Sequence, residues 1–112
     1  MTQPKTLIKR TFREVSSPIN PYANFVLEEI NNHCLRLAVM DSEYRWHYHT
    51  STDEMFIVLE GELKIELEGG KTLVLSPGEF VKIPAKQIHK TSATARTVNL
   101  TFERIGEDTV FI

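Results

Sequence analysis

Short apolar runs alternate with turn-forming residues along most of the chain. From Phe25 onward, runs rich in Val, Ile, Leu and Phe last only a few residues before a polar or glycine-containing segment interrupts them. Because the interrupting residues favour tight turns and left-handed backbone, the pattern predicts a strand between each pair of breaks. The breaks are Asn31-Asn32, Asp41-Ser42, Ser51-Thr52-Asp53, Gly61, Gly69-Gly70 and Pro77-Gly78.

Within the runs, apolar side chains recur at every second position, as in a strand with one buried face. Polar neighbours such as Lys64 and Glu66 are expected to face solvent. We therefore predict an all-β antiparallel barrel of about eight to ten short strands, whose inward side chains converge on the barrel axis. The apolar faces are Leu35/Leu37/Val39, Leu63/Ile65/Leu67 and Val98/Leu100/Phe102.

The N-terminal segment is less regular. Thr6 to Phe12 is predicted to form an edge strand, and the breakers Ser16-Ser17-Pro18 and Asn20-Pro21 predict a loop after it. Tyr22 to Ile30 is compatible with a short helix, but the strand interpretation is preferred because no long helical periodicity occurs elsewhere in the chain.

Length and composition fit one globular domain. The chain has 112 residues, of which 41% are hydrophobic and 25% charged, so one hydrophobic core is expected. Residues 1–32 are assigned to an N-terminal strand and loop of this domain, and residues 33–112 to the barrel. The formal net charge is −2 with the signs interspersed, which gives no reason to expect a nucleic-acid partner.

Location is predicted from what the sequence does not contain. It has neither an apolar run of membrane-spanning length nor a recognisable secretory leader, so no membrane partner is expected. Cys34 is the only cysteine, which excludes an intramolecular disulfide. These features together predict a cytoplasmic protein.

Four side chains form a candidate metal site. His47 and His49 are two residues apart, so a strand places both imidazoles on one face. Glu54 shares its parity with Phe56 and points inward if that residue lines the barrel, whereas Asp53 then points away. An inward carboxylate without a cation would lose its hydration at a cost of several kcal/mol. His89, much further along the chain, is the fourth candidate.

Three imidazoles and one carboxylate suit a single divalent transition metal ion. Fe, Mn, Ni, Co, Cu and Zn are all compatible with this ligand set, whereas calcium is not. Octahedral geometry would leave two positions for water, dioxygen or a chelating substrate. Such open positions make catalysis on a small molecule conceivable.

Two segments resemble the sequence motifs of the cupin family. The first places Gly61 after the pair of histidines and Glu54, and the second runs from Gly78 to His89. Asp41, Lys86 and Ala93 depart from the usual residues of these motifs, but none of them is a metal ligand. The motifs are His47-Tyr48-His49, four residues, Glu54, six residues, Gly61; and Gly78, five residues, Pro84, one residue, Lys86, two residues, His89.

The resemblance spans about Leu35 to Phe102, and this stretch looks like the small one-domain cupins often labelled mannose-6-phosphate isomerase-like. It implies a jelly-roll barrel of the RmlC-like kind, a homodimer and a bound metal ion. The family's activities range from dioxygenases and isomerases to binding proteins without catalysis. The sequence therefore supports two main hypotheses: metal-dependent small-molecule chemistry, with Glu54 as a candidate general base, or a non-catalytic module that binds a small molecule or the metal. A third hypothesis, a structural dimer with a vestigial site, is disfavoured because all four ligands are intact.

Several other polar residues are given structural roles. His33 has no partner at ligand spacing and is interpreted as a solvated turn residue. Cys34 is interpreted as a small packing residue rather than a nucleophile. The cations that could reach an anionic ligand are assigned to the surface because no motif supports them; they are Arg36, Arg45, Lys82 and Arg96.

Overall fold

The structure is a computed structural model and describes residues 7–112. The predicted all-β class and strand number are confirmed. In the described part of the chain, no helix has the length and apolarity needed to cross a membrane. The elements are α1 (Phe12–Ser16), β1 (Ala23–Ile30), β2 (His33–Met40), β3 (His47–His49), β4 (Glu54–Glu60), β5 (Leu63–Leu67), β6 (Thr72–Leu75), β7 (Phe80–Ile83), β8 (His89–Ser92), β9 (Thr97–Arg104) and β10 (Thr109–Phe111).

The strands form two antiparallel five-stranded sheets. Sheet one has the order β1-β2-β9-β4-β7, and sheet two has the order β10-β3-β8-β5-β6. From β2 onward the chain repeatedly crosses between the sheets, which is the connectivity of a jelly roll. As a result, β3 and β8 of sheet two contribute side chains to the same interior as β4 of sheet one.

Two apolar clusters lie on opposite faces of sheet one. The first fills one end of the space between the sheets and consists of Met40, Phe56, Val58, Leu63, Ile65, Leu75, Ile83 and Ala93. The second covers the outer face of sheet one and is built on Leu37, Val39, Val98 and Leu100, with Val15 and Ile19 of the N-terminal segment packed against it. Burial of both faces removes apolar surface from water on each side of the sheet.

The predicted N-terminal edge strand is wrong where the structure describes it. Thr6 lies outside the described residues, residues 7–11 are irregular, and the chain turns into α1 at Phe12. Thr11 and Glu14 form a capping box, in which the Glu14 N–H donates to Thr11 Oγ1 at 3.1 Å and the Thr11 N–H donates to Glu14. This Thr-x-x-Glu signature favours a helix start over continued extended backbone. The strand preferred over a helix for Tyr22 to Ile30 is confirmed as β1.

The expected orientation of polar side chains holds on β5 but fails on β9. Leu63 and Ile65 are buried between the sheets while Lys64 is exposed. On β9 the apolar residues Val98 and Leu100 face outward, into the cluster that the N-terminal segment covers. Consequently the polar residues that alternate with them on β9 point into the barrel, and the barrel interior is polar at one end.

Gly61, between β4 and β5, lies in a turn that leaves little room for a side chain. It has a φ of +77°, and a Cβ atom there would lie 2.6 Å from the Arg96 carbonyl oxygen and 2.8 Å from Thr97 Oγ1. Gly70 has a φ of +97°, but an added Cβ would meet nothing within 4 Å. The two glycines therefore share backbone strain and differ in steric room.

We expect Gly61→Ala to destabilise the fold more than Gly70→Ala. Positive φ should cost each variant about 1–2 kcal/mol, and the clash should cost Gly61→Ala a further ~1–3 kcal/mol. Urea unfolding of the two variants and the wild type measures the difference. Equal losses of unfolding free energy would show that the Gly61 turn relaxes freely.

Candidate metal centre

The four predicted ligands come together in the barrel interior. His47 and His49 lie on one face of β3, Glu54 is the first residue of β4, and His89 is the first residue of β8. His47 and His89 are register partners in the antiparallel pairing of β3 with β8. All four side chains are buried, with His89 fully inaccessible to solvent.

The candidate ligand atoms are close enough to share one ion. One nitrogen or oxygen from each of the four residues lies within 4.8 Å of the others. His49 Nε2 is 3.1 Å from Glu54 Oε1, and His89 Nε2 is 3.6 Å from the same oxygen. The rings of His47 and His89 have centroids 4.3 Å apart.

Each histidine is held on the side facing away from the cluster. The Nδ1 atoms of His47 and His89 donate to the backbone carbonyls of Arg45 and Gln87, at 2.7 and 2.9 Å. A carbonyl can only accept, so each of these two Nδ1 atoms carries a proton, and a neutral ring in this orientation presents the lone pair of Nε2 to the cluster. The Nε2 atoms are thus oriented as metal ligands, as in sites whose imidazoles are fixed by outer acceptors.

His49 is anchored by Asp108, just before β10. Its Nδ1 lies 3.1 Å from Asp108 Oδ1. The other oxygen of the same carboxylate accepts hydrogen bonds from the backbone N–H groups of Ser51 and Thr52, at 3.0 and 2.9 Å. Asp108 therefore orients a candidate ligand and also stabilises the turn between β3 and β4.

Strand parity correctly distinguished Glu54 from its neighbour Asp53. Asp53 points out of the barrel, where its Oδ1 accepts a hydrogen bond from the Ala85 N–H at 2.9 Å and its Oδ2 lies 3.8 Å from Lys82 Nζ. Glu54 shares the interior with Phe56, which belongs to the cluster between the sheets. Only Glu54 of the two can face the imidazoles.

The buried charges are strongly coupled. Burial alone would raise the pKa of Glu54, but contacts from His49 and His89 outweigh it and lower the pKa to about 2. Burial would likewise lower the pKa of His49, yet Glu54 and Asp108 raise it to about 9. At His47, burial dominates and lowers the pKa. Glu54 and His49 thus form a buried carboxylate–imidazolium pair at neutral pH.

These residues fit a divalent transition metal ion. The buried Nε2 of His89 has no hydrogen-bond partner among the described residues, which is costly for a polar atom unless another ligand engages it. An ion at the centre would supply the positive charge that protonated His49 otherwise provides, and His49 would then release its proton. The donor set of three nitrogens and one oxygen suits this class of metal.

A cavity of about 150 Å³ lies beside the cluster. Its wall on sheet one includes Arg36, Asn99, Thr101 and Glu103, together with Glu54 itself. The surface role predicted for Arg36 is therefore wrong: its parity on β2 is opposite to that of Leu37, which faces outward. Burial, followed by the charge of Glu54, raises the pKa of Glu103 to about 7.

Sequence reasoning missed the cavity residues and Asp108. Arg36 and Asn99 share their parity with Ala38 and Thr101, but nothing in the sequence indicates that the apolar face of these strands is the outer one. Asp108 approaches His49 only because β10 pairs with β3. Two of the residues given structural roles, His33 and Cys34, do not join the site: His33 stacks on Phe102 with ring centroids 5.3 Å apart, and Cys34 is buried.

The fold and the four converging residues define a small jelly-roll barrel with a three-histidine, one-glutamate cluster. Residues 35–102 match the family described as the Cupin domain. This match covers more than half of the chain, so the chain belongs to the cupin family, as the sequence motifs indicated.

The chain is also similar to proteins of known sequence and structure. The uncharacterized protein YdbB from Bacillus subtilis (strain 168) is 47% identical over 91 residues, covering 81% of this chain and 80% of that protein. The crystal structure of a cupin-2 domain containing protein from Shewanella frigidimarina is 31% identical with a TM-score of 0.81, and the match covers 86% of this chain and 94% of that one. The DMSP lyase DddQ from Ruegeria pomeroyi shares the fold, with 23% identity, a TM-score of 0.69 and coverage of 80% of this chain and 51% of that one.

Replacement of Asp108 by Asn is expected to weaken metal binding without removing a ligand. The variant loses the charged acceptor for His49 Nδ1, and outer-shell changes of this kind reduce metal affinity by about 10- to 100-fold. Competition with a fluorescent chelator measures the affinity of each protein, and circular dichroism checks folding.

The matched control is Asp41→Asn, which removes an equal charge from an exposed turn. It should bind metal like the wild type. Equal affinities for the Asp108→Asn variant and this control would rule out an orienting role for Asp108.

Proposed function

We propose that this cupin is a metal-dependent enzyme that acts on a small molecule in the cavity beside His47, His49, Glu54 and His89. Dioxygenase or isomerase chemistry is the proposed reaction class. The main support is the convergence of three buried imidazole nitrogens and one carboxylate within 4.8 Å of one another, at the wall of a cavity. Such convergent polar groups in a concave site are typical of an active site.

The four residues would hold one divalent ion, of Fe, Mn, Ni, Zn, Co or Cu. When bound, such an ion acts as a Lewis acid that polarises an oxygen atom of the substrate. The chain's own contribution is to fix the imidazoles through their Nδ1 hydrogen bonds and to exclude water by burial. Phe56, which lines both the cavity and the apolar cluster, closes the floor of the site.

Two carboxylates are candidates for moving a proton. Glu54 is ionised at neutral pH and is proposed as a ligand that also serves as general base, although its pKa of about 2 makes it a weak one. Glu103 is its register partner on β9 and has a pKa of about 7, which is better matched to proton transfer near neutral pH. Both line the same cavity.

A second candidate function is a non-catalytic binding module for a small molecule or for the metal itself. The cavity volume of about 150 Å³ is well below the ~300–1,000 Å³ of most sites for drug-sized ligands and limits the size of the ligand in a binding module and in an enzyme alike. A site of this size admits only a small ligand. Catalysis and simple binding therefore have to be separated by measuring turnover.

Elemental analysis of protein purified without oxygen, followed by oxygen-uptake and product assays, tests the proposal. Diols, thiols and sugar phosphates form the substrate panel. One transition metal ion per chain with turnover is the expected result. Metal without turnover would favour the binding module, and protein that neither contains nor takes up a metal ion would overturn the metal-dependent enzyme and the metal-binding form of the module.

Within the same experiment, Glu54→Gln is expected to lose metal, because it removes the only carboxylate of the cluster. We expect its affinity to fall by about 10- to 100-fold or more. Glu103→Gln is the matched control and should keep one ion per chain, since Glu103 is outside the cluster. A Glu54→Gln variant with full metal content and full turnover would exclude both roles proposed for Glu54.

We also propose that the protein is a homodimer. Support comes from two exposed apolar side chains on the edge strands β6 and β7, Val74 and Phe80, which are 57% and 65% exposed and line one surface groove. Adjacent apolar groups at a sheet edge favour association with another copy.

Phe80→Glu is expected to convert the dimer into a monomer, because it places a charge in the apolar contact. Light scattering coupled to gel filtration measures the mass in solution. Ile30→Glu is the control, since Ile30 is 50% exposed on β1 at the opposite edge of sheet one. A monomeric wild type, or dissociation by the control alone, would contradict this interface.

A further inference from the structure

Arg36 places a cation in the wall of the cavity. It is the only Lys or Arg among the described residues that line this cavity. Its Nε donates to Asn24 Oδ1 at 2.9 Å, which fixes the plane of the guanidinium. Within residues 7–112 no carboxylate lies within 4.0 Å of the Arg36 guanidinium, and its other side-chain partner there is the weakly accepting thiol of Cys34, on the same face of β2. Glu103, on the same wall, does not neutralise it by direct contact.

Asn99 adds a second free donor on the same wall. The residue is only 2% exposed, and its Nδ2 has no hydrogen-bond partner among the described residues. Thr101 is the register partner of Arg36, so Asn99 and Glu103 occupy the two diagonal positions across the β2–β9 pair. Long side chains at diagonal positions are within reach of the same ligand. A buried amide N–H without an acceptor is costly unless a ligand supplies one.

The donors face the metal cluster across a short distance. Arg36 on β2 and Glu54 on β4 are separated by β9 alone, and Arg36 is in register with Phe56, two residues along β4 from Glu54. At a strand spacing of ~4.8 Å and a rise of ~3.3 Å per residue, their backbones are about 12 Å apart. The cavity between them, about 150 Å³, equals the volume of roughly five water molecules. A ligand that spans it must be small, with an oxygen-rich acceptor at the Arg36 end.

We propose that Arg36 and Asn99 bind the carboxylate of a small carboxylic acid whose other oxygen atoms face His47, His49, Glu54 and His89. This inference deepens the proposed function and rests on it for the metal end of the ligand. A guanidinium offers paired N–H groups that match the two oxygens of a carboxylate. A sugar phosphate also carries an anion that could bind Arg36, but the small volume of the cavity favours a short carboxylic acid.

Calorimetric titration with malonate tests the inference, because malonate has a carboxylate for each end of the cavity. Protein loaded with Mn(II) and metal-free protein are both titrated. 1,3-Propanediol, which has the same carbon number without charge, and inorganic phosphate serve as comparison ligands. Metal content is measured separately, so that failure of the metal site and failure of the carboxylate site are distinguished.

Arg36→Met is expected to weaken malonate binding by about 10- to 100-fold, and Asn99→Ala by about 10-fold. Arg104→Met, which removes the same charge from an exposed position on β9, should bind malonate like the wild type. Metal-free protein should bind malonate more weakly but with the same dependence on Arg36. The diol should not bind measurably.

Three results would overturn the inference: undiminished malonate binding by folded Arg36→Met, equal affinity for the diol, or Arg36-dependent binding of phosphate without binding of malonate. Circular dichroism shows whether each variant folds. If Arg36→Met does not fold, Arg36→Lys replaces it; this variant keeps the charge, loses the paired N–H groups and should still bind malonate several-fold more weakly. Binding by Arg36→Lys equal to that of the wild type would then count against the inference.

Discussion

A carboxylate buried among three imidazoles is the constraint on which the interior of this protein depends. Glu54 can remain ionised there only because positive charge lies beside it, from protonated His49 or from a metal ion. The hydrogen bonds on the outer side of each ring decide which nitrogen faces the carboxylate. Three hydrogen-bond acceptors therefore orient the imidazoles without contacting the centre of the cluster. They are two backbone carbonyls and the carboxylate of Asp108.

The polar interior also explains why sheet one is apolar on its outer face. Asn99, Thr101 and Glu103 occupy the inward positions of β9, so Val98 and Leu100 must find burial elsewhere. The N-terminal segment buries these two residues, because its Val15 and Ile19 pack against the outer face of sheet one. The short capped helix therefore supports the site indirectly, because it allows polar side chains to line the cavity while the sheet still buries an apolar face.

Much of the site could be predicted from local sequence alone. The two-residue spacing of His47 and His49 and the parity of Glu54 depend only on strand geometry, and the motif resemblance added His89. The fold class followed from apolar alternation and turn residues. The Thr11 to Glu14 capping signal is also present in the sequence, but the apolar residues around it favour an edge strand by their pattern alone.

The remaining residues depend on tertiary pairing. Asp108 reaches His49 only through the pairing of β10 with β3. Arg36 and Asn99 line the cavity because β2 and β9 turn their polar faces inward, and alternation alone cannot tell which face of a strand is the inner one. Local sequence patterns therefore do not predict which strands pair over long range, nor which segment covers the outer face of a sheet.

We propose that the Nε2 atoms of His47, His49 and His89 and the carboxylate of Glu54 hold one transition metal ion. Anomalous diffraction from a crystal of metal-loaded protein, recorded on both sides of the metal's absorption edge, locates such an ion. We expect a single strong peak bounded by these four atoms, with the three Nδ1 hydrogen bonds intact. A peak elsewhere, coordination through Nδ1, or no peak in protein that has been loaded with metal would contradict it.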